Sequence, residues 1–382
     1  MYRANPAASR PGGRQSAARP KVFPCAPPAH WPQPGVMGTA TLEIDLAALT
    51  ANWQAMDALS ARSTVTAAVV KADAYGLGAE RVARALMRAG VRQFFVALAE
   101  EGAMLRQALG SDAQIFVLSG HMPGDTDMIG DLALVPCLNS VDQLTRHFES
   151  LPGNAFAVQL DTGMNRLGFE PAEWEALRDI VLSQEPALLM SHLACADEPD
   201  HPMNAWQLDV FRKMTDDAEV PRSLAATGGL LLGPEYHFDM IRAGIGLYGA
   251  APFSAGRPVV RLSLPVIQTR ELAPGEAVGY GCSWEADGPA RIATVAAGYA
   301  DGLSRALSNH AMLFADGVPC PIAGRVSMDM ITVDVSHLPE PPASLDAICP
   351  EQTVDDLAAL AGTIGHEVLT SLGPRLSRRY VG

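Results

Sequence analysis

Lysine is nearly missing from this chain: among 382 residues there are only Lys21, Lys71 and Lys213. Cations as a whole are outnumbered, 28 Lys and Arg against 42 Asp and Glu, for a formal net charge of -14. Such a surface repels nucleic acid and anionic membrane, so neither is expected as a partner. No stretch approaches the roughly 18 consecutive apolar residues of a membrane-spanning helix. The six cysteines, Cys25, Cys137, Cys195, Cys282, Cys320 and Cys349, form no CxxC and no close pair. That excludes a disulfide scaffold or zinc ribbon and reads as buried small hydrophobes in a reducing compartment. A GxGxxG turn after the first strand is also absent, which argues against a doubly wound dinucleotide fold.

What the chain has is apolar material: 48% of residues are hydrophobic and 18% charged, ample for a large core. Residues 1–36 stand apart, with Arg3, Arg10, Arg14, Arg19 and Lys21, no acid, eight prolines and no apolar periodicity. They cannot bury enough surface to order themselves and are expected to be disordered. They also lack the apolar core of a signal peptide, so the protein is expected in the cytoplasm. Met37 directly precedes the first patterned residues, and translation is expected to start there.

From residue 43 onward, strand-like and helix-like segments alternate. Strand patterns fall at 64–71, 93–98, 114–119, 133–138, 155–161, 187–193, 223–227 and 239–243. Helical periodicity covers 79–89, 99–109, 140–149, 171–183 and 203–218, with room only for short helices at 125–130 and 228–232. Eight such strands over about 200 residues predict a (β/α)8 TIM-type barrel in an α/β fold, assigned here to 45–264. Beyond it, short alternating runs punctuated by Ala-Pro-Gly and Asp-Gly turns predict a β-rich C-terminal domain at 265–382.

A lysine at the carboxyl end of the first barrel strand, partly desolvated by apolar neighbours, has the lowered pKa that Schiff-base chemistry needs. Lys71 stands there, within TVTAAVVKADAYGLG. That stretch resembles the pyridoxal phosphate lysine motif of alanine racemases. Further blocks follow in that family's order: DTGMNRLGF at 161, SHLACAD at 191, MIRAGIGLYG at 240, VGYGCSW at 278, AAGYADGL at 296 and GRVSMDM at 324.

The resemblance implies an amino acid racemase with pyridoxal 5'-phosphate on Lys71, interconverting L-alanine and D-alanine by two-base proton transfer at the α-carbon. Lys71 and Tyr280 would be the two acid-base groups. Tyr75, Thr227, Gly228, Gly244 and Ile245 would hold the phosphate, the glycines by exposing backbone donors. Arg242 would meet the pyridine nitrogen without protonating it and, through His192, would be linked to Tyr280. Arg166 would contact the substrate carboxylate with the Met328 N–H, and Tyr299 would narrow the mouth. The family further implies a homodimer with shared active sites, and a first strand, 38–44, that joins the C-terminal domain.

Some positions depart from the family. Gln159 stands where many relatives carry a carbamylated lysine, leaving either its amide or a bound halide to orient Arg166. Pro374 replaces a phosphate-contacting tyrosine, and Ala226-Thr227 replaces Asn-Ser. Two other functions compete. A metal hydrolase would use His192, Cys195, Asp197 and His201, but these share one loop, whereas barrel zinc sites draw on several strands. A non-catalytic pyridoxal phosphate-binding barrel would not need the second domain with Tyr280. A broader amino acid racemase differs only in the side-chain pocket.

Overall fold

The computed structural model describes residues 39–382; the segment expected to be disordered lies outside them. Eight parallel strands, Val65–Val69, Gln93–Val96, Gln114–Val117, Val135–Leu138, Ala157–Gln159, Leu188–Met190, Arg222–Ser223 and Met240–Ala243, lie side by side in chain order. The eighth pairs back onto the first, from Val65 opposite Met240 to Ala68 opposite Ala243. A parallel bridge between Ala226 and Arg242 joins the seventh to the eighth, so the sheet is a barrel. All four residues of Val135–Leu138 and of Met240–Ala243 are buried, because helices cover the outside and side chains fill the inside.

The helix Ala79–Ala89 shows why the outer layer forms. Val82, Ala83, Ala85 and Leu86 fall on one buried face, and Gly90 at φ 123° ends the helix where a side chain would be strained. The third and seventh crossovers hold only the short helices Thr126–Asp131 and Thr227–Leu232. A helix that the sequence patterns left unassigned, Leu46–Asp57, precedes the barrel. Its buried Asn52 donates to the carbonyls of Leu247 and Arg257 at 3.1 and 2.9 Å and accepts from the Arg257 N–H at 2.7 Å. That side chain ties the start of the barrel to its end.

The β-rich part is built on the long strand Val260–Leu272. It pairs with Thr41–Asp45, Ser344–Ile348 and Ala290–Val295. Thr41–Asp45 also pairs in parallel with the last strand, Ser377–Val381. The Asp316-Gly317 turn predicted by sequence joins Met312–Ala315 to Val318–Pro321, with φ 47° and 83° as a type I′ hairpin requires. Two helices, Val354–Ala361 and Gly365–Ser371, were not legible, being too short for their periodicity to stand out. Cys137, Cys320 and Cys349 are buried as expected, but Cys195 is half-buried and Cys282 exposed, because Cys282 lies on the projecting turn that carries Tyr280. Among the described residues no helix is long and apolar enough to cross a membrane.

Beneath the third barrel loop lies a buried histidine pair whose tautomers follow from its partners. The Asn154 carbonyl can only accept, so His147 Nε2 carries a proton toward it at 3.3 Å. A neutral His147 then accepts at Nδ1 from His121 Nδ1 at 3.3 Å, and His121 Nε2 accepts from the Thr126 hydroxyl at 2.9 Å. Burial pulls both pKa values down, His121 to about 4, with the neighbouring histidine and Arg146 adding to it. Both groups therefore bind protons more weakly folded than unfolded. Stability should hold above pH 6.5 and fall as pH drops from there toward 4. In urea melts at pH 8, 6 and 5, His121→Gln should be less stable at pH 8. Its decline with acidity should be shallower by up to about 1.4 kcal/mol per pH unit, one proton's worth.

Candidate active site

At the carboxyl ends of the strands, the chain after Val70 takes an unusual course. Ala72, Asp73, Ala74 and Tyr75 all have φ between 52° and 57°, one full left-handed turn without a glycine. Each such residue costs about 1–2 kcal/mol, so outside contacts must hold the turn. Inside it, the Gly78 N–H reaches the Asp73 carbonyl at 2.9 Å. From outside, the Glu101 carboxylate accepts from the N–H of Ala72 at 2.7 Å and of Ala97 at 2.7 Å. The turn swings Tyr75 under the seventh and eighth strand loops and leaves Lys71 half-buried at the mouth. Burial foremost, then the charge of Arg166, lowers the Lys71 pKa; Glu101 opposes and Arg242 reinforces.

Arg242, on the last barrel strand, is buried and organises the floor of the site. One terminal nitrogen donates to the Ser223 carbonyl at 3.0 Å and to its hydroxyl, the other to the Ser191 carbonyl at 2.6 Å and the Leu224 carbonyl at 3.3 Å. The latter also lies 3.2 Å from His192 Nδ1. A guanidinium only donates, so His192 accepts at Nδ1 and, when neutral, carries its proton on Nε2. Burial, then the charges of Arg242, Arg166 and Lys71, holds the His192 pKa down to about 3. Burial also lowers Arg242 to about 10, which leaves it cationic at neutral pH. Among the described residues its Nε–H has no protein acceptor.

The phosphate candidates converge as well. Thr227 Oγ1 accepts from the N–H groups of Gly244 at 3.1 Å and Gly246 at 3.3 Å, so its own proton is free to point outward. Gly244 thus spends its N–H within the protein. What it contributes is the missing side chain, since a Cβ there would come 3.0 Å from the Tyr75 hydroxyl. The N–H groups of Gly228 and Ile245 take no protein acceptor among the described residues. Burial raises the Tyr75 phenol to about 12, so it stays a neutral donor. Its ring lies 4.5 Å from that of Tyr248, whose hydroxyl donates to the Val69 carbonyl at 3.0 Å.

Other expected site residues stand elsewhere. Arg166 lies on an exposed loop after the fifth strand. Gln159 does not orient it: that amide donates to the Leu160 carbonyl at 3.4 Å. Tyr280, Met328 and Tyr299 are 72%, 53% and 45% exposed on the β-rich part, and the single chain does not pack them against Lys71. His201 caps the helix Pro202–Thr215 by accepting the Met203 N–H at 3.2 Å, and no group of three metal-ligating side chains gathers among the described residues. Sequence reading missed Glu101, Ser191 and Ser223. An acidic residue in the first turn of a helix and a serine within a strand carry no motif, and Ser191, though it opens SHLACAD, gains its meaning, as they do, only from the turn and the arginine they serve.

Residues 44–252 match the alanine racemase N-terminal domain family, and 259–380 the alanine racemase C-terminal domain family. The chain belongs to the alanine racemase family. An alanine racemase of Cereibacter sphaeroides strain ATCC 17025 is 65% identical over 90% of this chain and 99% of its own length. One from Dinoroseobacter shibae is 63% identical over 91% of this chain and 99% of its own length. Among solved structures, alanine racemase from Bartonella henselae with covalently bound pyridoxal phosphate superposes with a TM-score of 0.85 at 35% identity, covering 90% of this chain and 99% of that one. Pyridoxal phosphate suits the groups assembled here: a depressed lysine for its aldehyde, outward hydroxyl and N–H donors for its phosphate, and the Arg242 Nε–H for its ring nitrogen. Replacing Thr227 tests this cradle without touching the lysine. Thr227→Val leaves two buried N–H groups without an acceptor and should cost about 1–3 kcal/mol, read as a lower melting temperature, whereas Thr227→Ser should recover most of it.

Proposed function

We propose that the protein interconverts L-alanine and D-alanine with pyridoxal phosphate held by Lys71. The observation that carries this reading is a half-buried Lys71 at the carboxyl end of the first barrel strand, with its pKa lowered by burial, Arg166 and Arg242, in a chain of this family. When bound, the cofactor supplies an aldehyde for the substrate amine and a ring that acidifies the α-C–H. The side chains do the rest. Thr227, Tyr75 and the N–H groups of Gly228 and Ile245 grip the phosphate. Arg166, exposed and without a protein partner among the described residues, binds the substrate carboxylate beside the Met328 N–H of a second copy.

Arg242 keeps its own proton at neutral pH, so it hydrogen-bonds the ring nitrogen without transferring charge to it. Negative charge that builds on proton loss then stays at the α-carbon, and reprotonation there restores an amino acid. Racemisation needs an acid-base group on each face of that carbon, one to take the α-proton and the other to return one. Lys71 Nζ serves one. Tyr280 serves the other and, being 72% exposed on its own chain, comes from a second copy. His192, holding its proton on Nε2, donates to that phenol oxygen. The protein thus acts as a homodimer with two shared sites, and Tyr299 of the second copy narrows each mouth.

Chiral analysis of L-alanine incubated in heavy water should show D-alanine with deuterium at the α-carbon; a panel of larger L-amino acids should turn over more slowly. Sharing is tested by mixing. If Lys71→Ala and Tyr280→Ala chains, each inactive, are unfolded together and refolded, half the dimers are mixed. Each mixed dimer has one intact site, so activity should return to roughly a quarter of wild type. No recovery, with mixed dimers present by gel filtration, would place both groups in one chain.

A further inference from the structure

The left-handed turn behind Lys71 is gripped from the far end of the chain. Arg378 Nε and its terminal nitrogen donate to the Gly76 carbonyl at 3.1 and 2.9 Å. The Tyr380 hydroxyl donates to the Leu77 carbonyl at 3.0 Å, filling the space left by the missing side chain of Gly78, where φ is 91°. Arg378 is itself fixed by the carbonyls of Leu372 at 3.0 Å and Gly373 at 3.1 Å. Three residues earlier, Arg375 clasps the buried Asp301 through two hydrogen bonds of 2.9 and 2.8 Å and Asp329 through one of 2.6 Å. Asp301 accepts from the Gly298 N–H at 2.9 Å, and the Ala300 N–H reaches the Met328 carbonyl at 3.0 Å, so this arginine sets the loops of Tyr299 and Met328.

We propose that residues 372–380 form a positioning strap: Arg378 and Tyr380 hold the turn that aims Lys71, and Arg375 holds the loops that bear Tyr299 and Met328. The proposal rests on the reading that Lys71 carries pyridoxal phosphate and that those loops serve the second copy. One strap then joins a chain's own lysine to the parts it lends its partner. Arg378 and Tyr380 touch neither cofactor nor substrate; they act through the backbone of residues 76 and 77.

The test compares full-length protein purified with its cofactor as wild type, Arg378→Ala, Arg378→Lys, Tyr380→Phe and Arg379→Ala. Arg379 lies on the same strand and pairs with Glu43, away from the turn, so its variant controls for simple loss of stability. Hydroxylamine stripping of pyridoxal phosphate, followed by absorbance, reads the lysine's placement. Losing a charge-assisted hydrogen bond should speed stripping in Arg378→Ala about tenfold or more and lower kcat similarly, with KM within about twofold. Arg378→Lys should fall between, added guanidinium should slow stripping in Arg378→Ala, and Arg379→Ala should match wild type even if its melting temperature falls. The proposal is overturned if Arg378→Ala behaves as Arg379→Ala does. Should Arg378→Ala not fold, Tyr380→Phe decides: faster stripping supports the strap, and a wild-type rate overturns it. A wild-type protein with no absorbance for hydroxylamine to remove would overturn the cofactor reading, and the strap's role with it.

Discussion

Four consecutive L-residues in the left-handed region are a conformation that no chain keeps by itself. Everything around Lys71 can be understood as what makes that turn tolerable. Glu101 takes the Ala72 N–H on one side, Arg378 and Tyr380 take the carbonyls of Gly76 and Leu77 on the other, and Asp73 closes the turn from within. The gain is directional. A right-handed turn would carry Tyr75 elsewhere; this one places its hydroxyl beside Gly244 and Thr227, at the loops where barrels bind phosphate.

The second constraint is the burial of positive charge. Arg242 is buried among carbonyls and serine hydroxyls that accept its terminal N–H groups. It fixes the tautomer of His192 and, with Arg166, helps lower the pKa of Lys71. A lysine whose amine gives up its proton more readily than usual and an arginine that keeps its own are thus two results of one electrostatic arrangement. Glu101 tempers it, since its carboxylate raises the lysine while it anchors the turn.

Much of this was legible in the sequence because barrels put chemistry at strand ends. Lys71, His192, Thr227 and Arg242 each follow or end an apolar strand, and the strand periodicity alone located all eight strands. The handedness of the turn was not legible: KADAYG contains one glycine, at its end, and nothing in Ala-Asp-Ala-Tyr predicts positive φ. Nor was Glu101, whose partner is a backbone amide 29 residues away. The C-terminal arginines look like a solvated basic tail until the fold sets Arg378 against a carbonyl 302 residues away. For Gln159 the sequence left two ways to orient Arg166, its amide or a bound halide, and the amide turns to the Leu160 carbonyl instead. Long-range contacts to backbone leave no residue pattern, whereas short apolar periodicity does.

Lys71 alone among the chain's three lysines is expected to bear the cofactor. Borohydride reduction of the purified protein followed by peptide mapping by mass spectrometry tests it most directly. A pyridoxyl phosphate mass increment should appear on the peptide containing Lys71 and none on Lys213 or Lys21. An increment on either of those, or on no lysine at all in a protein that racemises alanine, would contradict it.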